Sequence, residues 1–123
     1  MAETTMPTEL TETVEWAQLA AQAAATKTDE DTIVLDVGNV LSIVGHFVIT
    51  AGRNARQVKA IAEEIEAKVS EAGGRKPRTE GYDALEWVLL DYGDFVVHVF
   101  RSETRSYYDL ERLWSDVPRI AWR

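Results

Sequence analysis

Apolar residues recur along this chain with two periods, and the period assigns most of its elements. From Thr11 to Ala25 the spacing is helical: Val14, Ala17, Ala21 and Ala24 share one face, widened by Trp16, Leu19, Ala20 and Ala23. Thr11 or Thr13 supplies the N-cap. Polar residues 26–31 end the pattern. Thr32–Val37 (TIVLDV) is a short β-branched run, as a buried strand requires, and Gly38-Asn39 turns the chain after it. His46–Ala51 (HFVITA) reads as a second strand, and residues 40–45 either extend one of these strands or form the loop between them. Beyond Gly52, Asn54 with Gln57 three residues later is a capping-box pattern. It opens a helix whose stripe is Val58, Ile61, Ala62, Ile65 and Val69, and which Gly73-Gly74 stops.

The C-terminal half changes period. Residues 75–80 (RKPRTE) read as a short extended piece, with Pro77 suited to a sheet edge. Leu85–Asp91 and Phe95–Arg101 are strands separated by Tyr92-Gly93-Asp94, the spacing of a β-hairpin. A last helix is expected from Glu103 to Trp114, with Tyr107, Leu110 and Trp114 inward and Arg105–Asp109 paired on its outer side. The order is helix, two strands, helix, three strands, helix. It predicts one α/β domain with a mixed five-stranded sheet flanked by helices. Residues 1–10 read as a flexible start, 11–117 as the domain and 118–123 as a C-terminal tail.

Composition narrows the function classes. The chain has 123 residues and no cysteine, which excludes thiolate catalysis, disulfides and Cys-based zinc sites. No apolar run approaches the ~18 residues that span a membrane, and the N-terminus lacks the basic and apolar regions of a signal peptide, so a cytoplasmic protein is expected. The net charge of −8 argues against nucleic acid as the primary contact. Residues 1–36 hold eight acids and one base, whereas residues 37–123 hold thirteen acids and twelve bases. Most of the negative charge is therefore N-terminal. Glu80, Asp83, Glu86, Asp91 and Asp94 nevertheless form a window without a base, either a solvated surface or one that faces a basic protein.

Asp91, Asp94 and His98 are the grouping closest to a metal or acid–base centre, that of a small nucleotide- or metal-binding enzyme. The competing reading has both aspartates capping a tight turn and His98 satisfied within a strand. Gly73-Gly74-Arg75-Lys76 follows a helix instead of opening one and is not a phosphate-binding loop. No serine has a nucleophile-elbow context. The aromatics carry more information. Trp87 is in phase with Leu85 and Leu89, Tyr92 sits in the hairpin turn, and Tyr107 and Tyr108 point about 100° apart on a helix, one inward and one outward. Together they are either core residues or a protein-binding hot spot.

Glu80-Gly81, Trp87 through Asp94, Val97 through Phe100, Arg105, Tyr108, Leu110-Glu111 and Leu113-Trp114 together resemble the signature of the Iojap-like ribosomal silencing factors. The resemblance extends, more loosely, over residues 11–117. At Val44-Gly45-His46 the chain departs from the family's acidic position, whose role is not carried over. The resemblance implies a three-layer, nucleotidyltransferase-like fold without catalytic residues, no cofactor, and no enzymatic activity. It implies a translation repressor that binds the large ribosomal subunit through its fourteenth ribosomal protein and blocks joining of the small subunit, typically under nutrient limitation. Trp87, Tyr92 and Tyr108 match the family's partner-binding positions, with Asp91, Gly93, Asp94 and Arg105 as supports. A homodimer of the free protein, paired edge to edge through the hairpin, remains an open alternative state.

Overall fold

The computed structural model describes residues 13–123. The expected flexible start and the Thr11 cap lie outside the described residues. Among the described residues the elements are α1 (Thr13–Ala25), β1 (Ile33–Asp36), β2 (His46–Gly52), α2 (Ala55–Glu71), β3 (Arg78–Glu80), β4 (Trp87–Asp91), β5 (Phe95–Arg101), α3 (Ser102–Tyr108), α4 (Leu110–Leu113) and β6 (Arg119–Ile120). The strands form one sheet in the order β3-β4-β5-β2-β1-β6. The central pair β2–β5 is parallel and the others are antiparallel, so the sheet is mixed as expected.

Each face of the sheet has its own core. On one face α1 and α2 pack over Val34, Val48, Val88, Leu90, Val97 and Val99. Five alanines of α1 are buried there, and their small side chains leave room for α2 to pack close by. The α2 stripe of Val58, Ile61, Ala62, Ile65 and Val69 is buried as its period requires. Its first turn is capped by Asn54, which accepts from the Gln57 N–H at 2.9 Å. Gln57 reaches back to accept from the N–H of Arg53 at 2.6 Å, one residue beyond the N-cap N–H of the expected reciprocal bond. The opposite face buries Ile33, Leu35, Val37, Ile49, Ala51 and Phe100, with Phe47, Trp87, Leu110 and Trp114 packed around them. The short α3 and α4, the segment after them, and Leu41 and Val44 of the loop between β1 and β2 cover this face. Phe100 is fully buried, whereas Phe47, Trp87 and Trp114 are only partly enclosed.

Three expectations need correction in detail. The sheet has six strands, not five: Arg119–Ile120, expected as part of a tail, pairs antiparallel with β1. The Trp122 indole N–H donates to the Thr32 carbonyl at 2.8 Å, and the side chains of Gln18 and Gln22 donate to the Ala121 and Trp122 carbonyls. A two-residue strand has no period to read, yet it satisfies an otherwise open edge of β1. Next, β4 begins at Trp87, not Leu85, because residues 82–85 form a turn in which Leu85 has φ of 56° and donates its N–H to the Gly81 carbonyl. Last, the C-terminal helix is broken. Asp109 adopts a left-handed conformation (φ 49°, ψ 52°) that ends α3 and starts α4 in a new direction. Aspartate is among the few side chains that tolerate this region.

Candidate protein-docking face

The break at Asp109 determines which aromatics reach the surface. In one continuous helix Tyr107 would point inward with Leu110 and Trp114. In the bent one Leu110 and Trp114 stay against the second core, while Tyr107 is 81% exposed and Tyr108 52% exposed. Arg105 holds the corner. Its guanidinium donates to the Glu111 carboxylate from Nε at 3.1 Å and Nη2 at 2.9 Å, and from Nη1 to the Asp31 carbonyl. The expected Arg105–Asp109 pair is thus replaced by Arg105–Glu111, whose arginine side chain is only 11% exposed. Arg105 thus ties α3 to α4 and to the chain before β1.

Trp87 and Tyr108 meet on this face, with ring centroids 5.0 Å apart. Trp87 also packs on Phe100 at 4.8 Å, its partner across β4 and β5. The row continues through rings that the sequence reading did not group with these two. His98 lies beside Trp87, Phe47 meets His98 edge-on at 4.8 Å, and Trp114 meets Phe47 edge-on at 5.4 Å. At the other end Tyr107 stands edge-on to Tyr108 at 5.1 Å. Leu113, 76% exposed, adds to the apolar surface of the same corner. Alternation along β5 already put His98 and Phe100 on one face. Only the strand order put Phe47 beside them.

Tyr92 does not join this group. It is 4% exposed, lies in the core under α1 and α2, and stacks on Phe95 at 4.6 Å. The reading that Trp87, Tyr92 and Tyr108 stand together is corrected accordingly. Tyr92 follows β4 directly and continues its alternation, five residues from Trp87, so it takes the side of Val88 and Leu90. Burial raises the pKa of Tyr92, and the Glu66 carboxylate adds to the shift. Gly93 holds the turn at φ of 90°, and its N–H donates to Asp91 Oδ1 at 2.8 Å. Asp94 is exposed, and its carbonyl accepts from the Gly45 N–H at 2.7 Å. Asp91, Gly93 and Asp94 therefore build the hairpin tip and its junction with the loop before β2.

The same geometry separates the members of the alternative acid–base centre. Asp91 is engaged by the turn, Asp94 faces solvent, and His98 is bonded to Trp87, whose indole N–H donates to His98 Nδ1 at 3.2 Å. Among the described residues no group of three or more His, Cys, Asp or Glu side chains could hold a metal ion. Among them also, no helix is long and apolar enough to cross a membrane. The acidic window divides as well. Asp83 and Glu86 are exposed near the Trp87 end of β4 and exposed Glu80 sits across from its middle residue Leu89, whereas Asp91 and Asp94 lie at the far end, roughly 13 Å along the strand from Trp87.

His98 is 7% exposed, and burial lowers its pKa to about 4. His46, paired across from Asp36, is lowered in the same direction by burial, with Asp36 opposing. An unfolded histidine titrates near 6.5, so on acidification the unfolded chain takes up a proton before the folded one. The contribution of neutral His98 is complete above about pH 6.5 and is lost as pH falls toward 4. Urea denaturation across that interval is expected to show a loss on the order of 3 kcal/mol from this group. His98→Asn should flatten the same interval; an identical slope in the variant would show that other groups cause it.

Comparison with known proteins accounts for this fold. The family model described as ribosomal silencing factor during starvation matches residues 10–123. Ribosomal silencing factor RsfS of Bacillus subtilis is 44% identical over 101 residues, covering 82% of this chain and 86% of that protein. A more distant relative from mouse, mitochondrial assembly of ribosomal large subunit protein 1, is 31% identical over 88 residues, covering 69% of this chain and 39% of its own length. A crystal structure of a protein from Chromobacterium violaceum superimposes with a TM-score of 0.81 at 39% identity, covering 85% of this chain and 88% of that one. The chain belongs to the family of ribosomal silencing factors during starvation.

Proposed function

We propose that this protein represses translation by docking on the large ribosomal subunit, through its fourteenth ribosomal protein, so that the small subunit is sterically prevented from joining. Action in the cytoplasm under nutrient limitation is part of the same reading. The observation that carries it is the pair of partly buried Trp87 and half-exposed Tyr108, beside exposed Tyr107 and Leu113. Tryptophan and tyrosine dominate binding hot spots because each offers a large, stiff apolar area with a polar tip. Exposed Asp83 and Glu86 flank the Trp87 end, with exposed Glu80 opposite Leu89, and suit a basic partner such as a ribosomal protein. Tyr92 serves inside the fold by shaping the hairpin, not as a contact.

The relatives support a ribosomal role through their names, and the mouse relative is named for the large subunit. A second copy of the chain is the competing occupant of the same face. Subunit joining measured by sedimentation of purified subunits tests the proposal. Saturating protein is expected to deplete joined ribosomes. Tyr108→Ala should restore joining, and Tyr92→Phe should repress as the parent does. Unchanged joining in the presence of the parent protein would sink the proposal. Sedimentation velocity of Trp87→Ala beside the parent reads out whether self-association uses the same surface.

A further inference from the structure

A partly exposed tryptophan on a strand has several accessible orientations, because the torsion to its ring is broad. In this protein the indole is held from one side. Its N–H donates to Nδ1 of His98 at 3.2 Å, and Phe100 lies 4.8 Å from its ring centre. His98 is itself fixed. It sits on β5 in the middle of the sheet, is 7% exposed, and has Phe47 edge-on at 4.8 Å. A buried imidazole with no partner for Nε2 among the described residues stays neutral, and the indole donor requires Nδ1 to be the acceptor.

We infer that His98 is a positioning residue for the docking face: it turns the polar edge of Trp87 inward and leaves the apolar body of the indole for the partner. The inference rests on the reading that Trp87 contacts the large subunit. Its physical content is preorganisation. An indole N–H satisfied within the free protein neither has to be stripped of water on docking nor needs an acceptor on the partner. The ring meets the partner in a single orientation, so less side-chain freedom is lost on binding. The partner recognised this way offers an apolar or cationic surface to the ring and no hydrogen-bond acceptor to its nitrogen.

The test uses the full chain and isolated large subunits. The side-chain oxygen of asparagine can stand where Nδ1 stands, whereas that of glutamine reaches the Nε2 position and phenylalanine has no acceptor. NMR of the indole N–H, assigned with Trp87→Phe, is expected to show a hydrogen-bonded resonance in the parent and in His98→Asn. It should move in His98→Gln and His98→Phe. Co-sedimentation should weaken about fivefold in those last two and recover in His98→Asn, the size expected for one hydrogen bond. If His98→Phe fails to fold, the Asn and Gln variants decide, and equal binding of the two overturns the inference. Undiminished binding by His98→Gln, with Trp87→Ala impaired, overturns the positioning role alone. Undiminished binding by Trp87→Ala overturns the docking reading beneath it, whatever the indole resonance shows.

Discussion

Gly81→Ala is expected to destabilise the fold by about 3 kcal/mol, read from the urea denaturation midpoint. Two costs combine. Gly81 has φ of 90°, where a β-carbon costs roughly 1–2 kcal/mol. A β-carbon there would also lie 2.1 Å from the Trp87 carbonyl oxygen and 3.0 Å from the carbonyl carbon. Both atoms are backbone at the start of β4 and cannot swing away, so the strand must shift, at a further cost of about 1–3 kcal/mol. Gly73 is the control. It has the same φ of 90° but nothing within 4 Å of the added carbon, so Gly73→Ala should cost only about 1 kcal/mol. Equal losses at the two sites would show that the close approach to Trp87 does not matter. Because the displaced atoms belong to Trp87, Gly81→Ala should also weaken binding to large subunits in molecules that remain folded.

Trp87→Ala is expected to weaken co-sedimentation with large subunits by about 2 kcal/mol, close to thirtyfold. The ring stands between Phe100 and Tyr108, so its removal takes away contact area and also the wall against which Tyr108 rests. The substitution leaves Nδ1 of His98 without its donor, at a cost to stability of roughly 1–3 kcal/mol. A thermal melt must therefore accompany the binding measurement. Tyr107→Ala separates the effects: Tyr107 is 81% exposed, so its removal should change stability by less than ~0.5 kcal/mol. A folded Trp87→Ala protein that co-sediments as the parent does would remove Trp87 from the interface.

Local pattern was enough wherever an element buries a periodic face against a large neighbour. The α2 stripe, the core strands β1, β2 and β5, and the hairpin turn at Gly93 are all visible in the order of residues, since each is set by the burial of its own side chains or by one turn glycine. The family signature between Glu80 and Trp114 was legible for the same reason: its residues lie within a hairpin and the helical corner after it. What did not read was the helix break at Asp109. Leu110 and Trp114 keep helical spacing with Tyr107, and the sequence has no proline or glycine between them to mark a bend. The bend is held by Arg105 reaching Glu111 and the Asp31 carbonyl, the second of these contacts made across 74 residues.

The sequence by itself determined the α/β class, the absence of thiol chemistry and the family resemblance, and that resemblance singled out Trp87, Tyr92 and Tyr108. Tertiary structure decided which of the chosen aromatics share a surface. Trp87 and Tyr108 meet because β4 pairs with β5 and α3 folds back beside them, whereas Tyr92 passes to the opposite face and is buried on Phe95. It also decided that His98, which by position alone could be read as a ligand or a strand residue, accepts the Trp87 indole proton. The physical reason is common to both. The period of an element states which of its residues share a side, but only the pairing of elements distant in the chain states what lies on the other side of the contact.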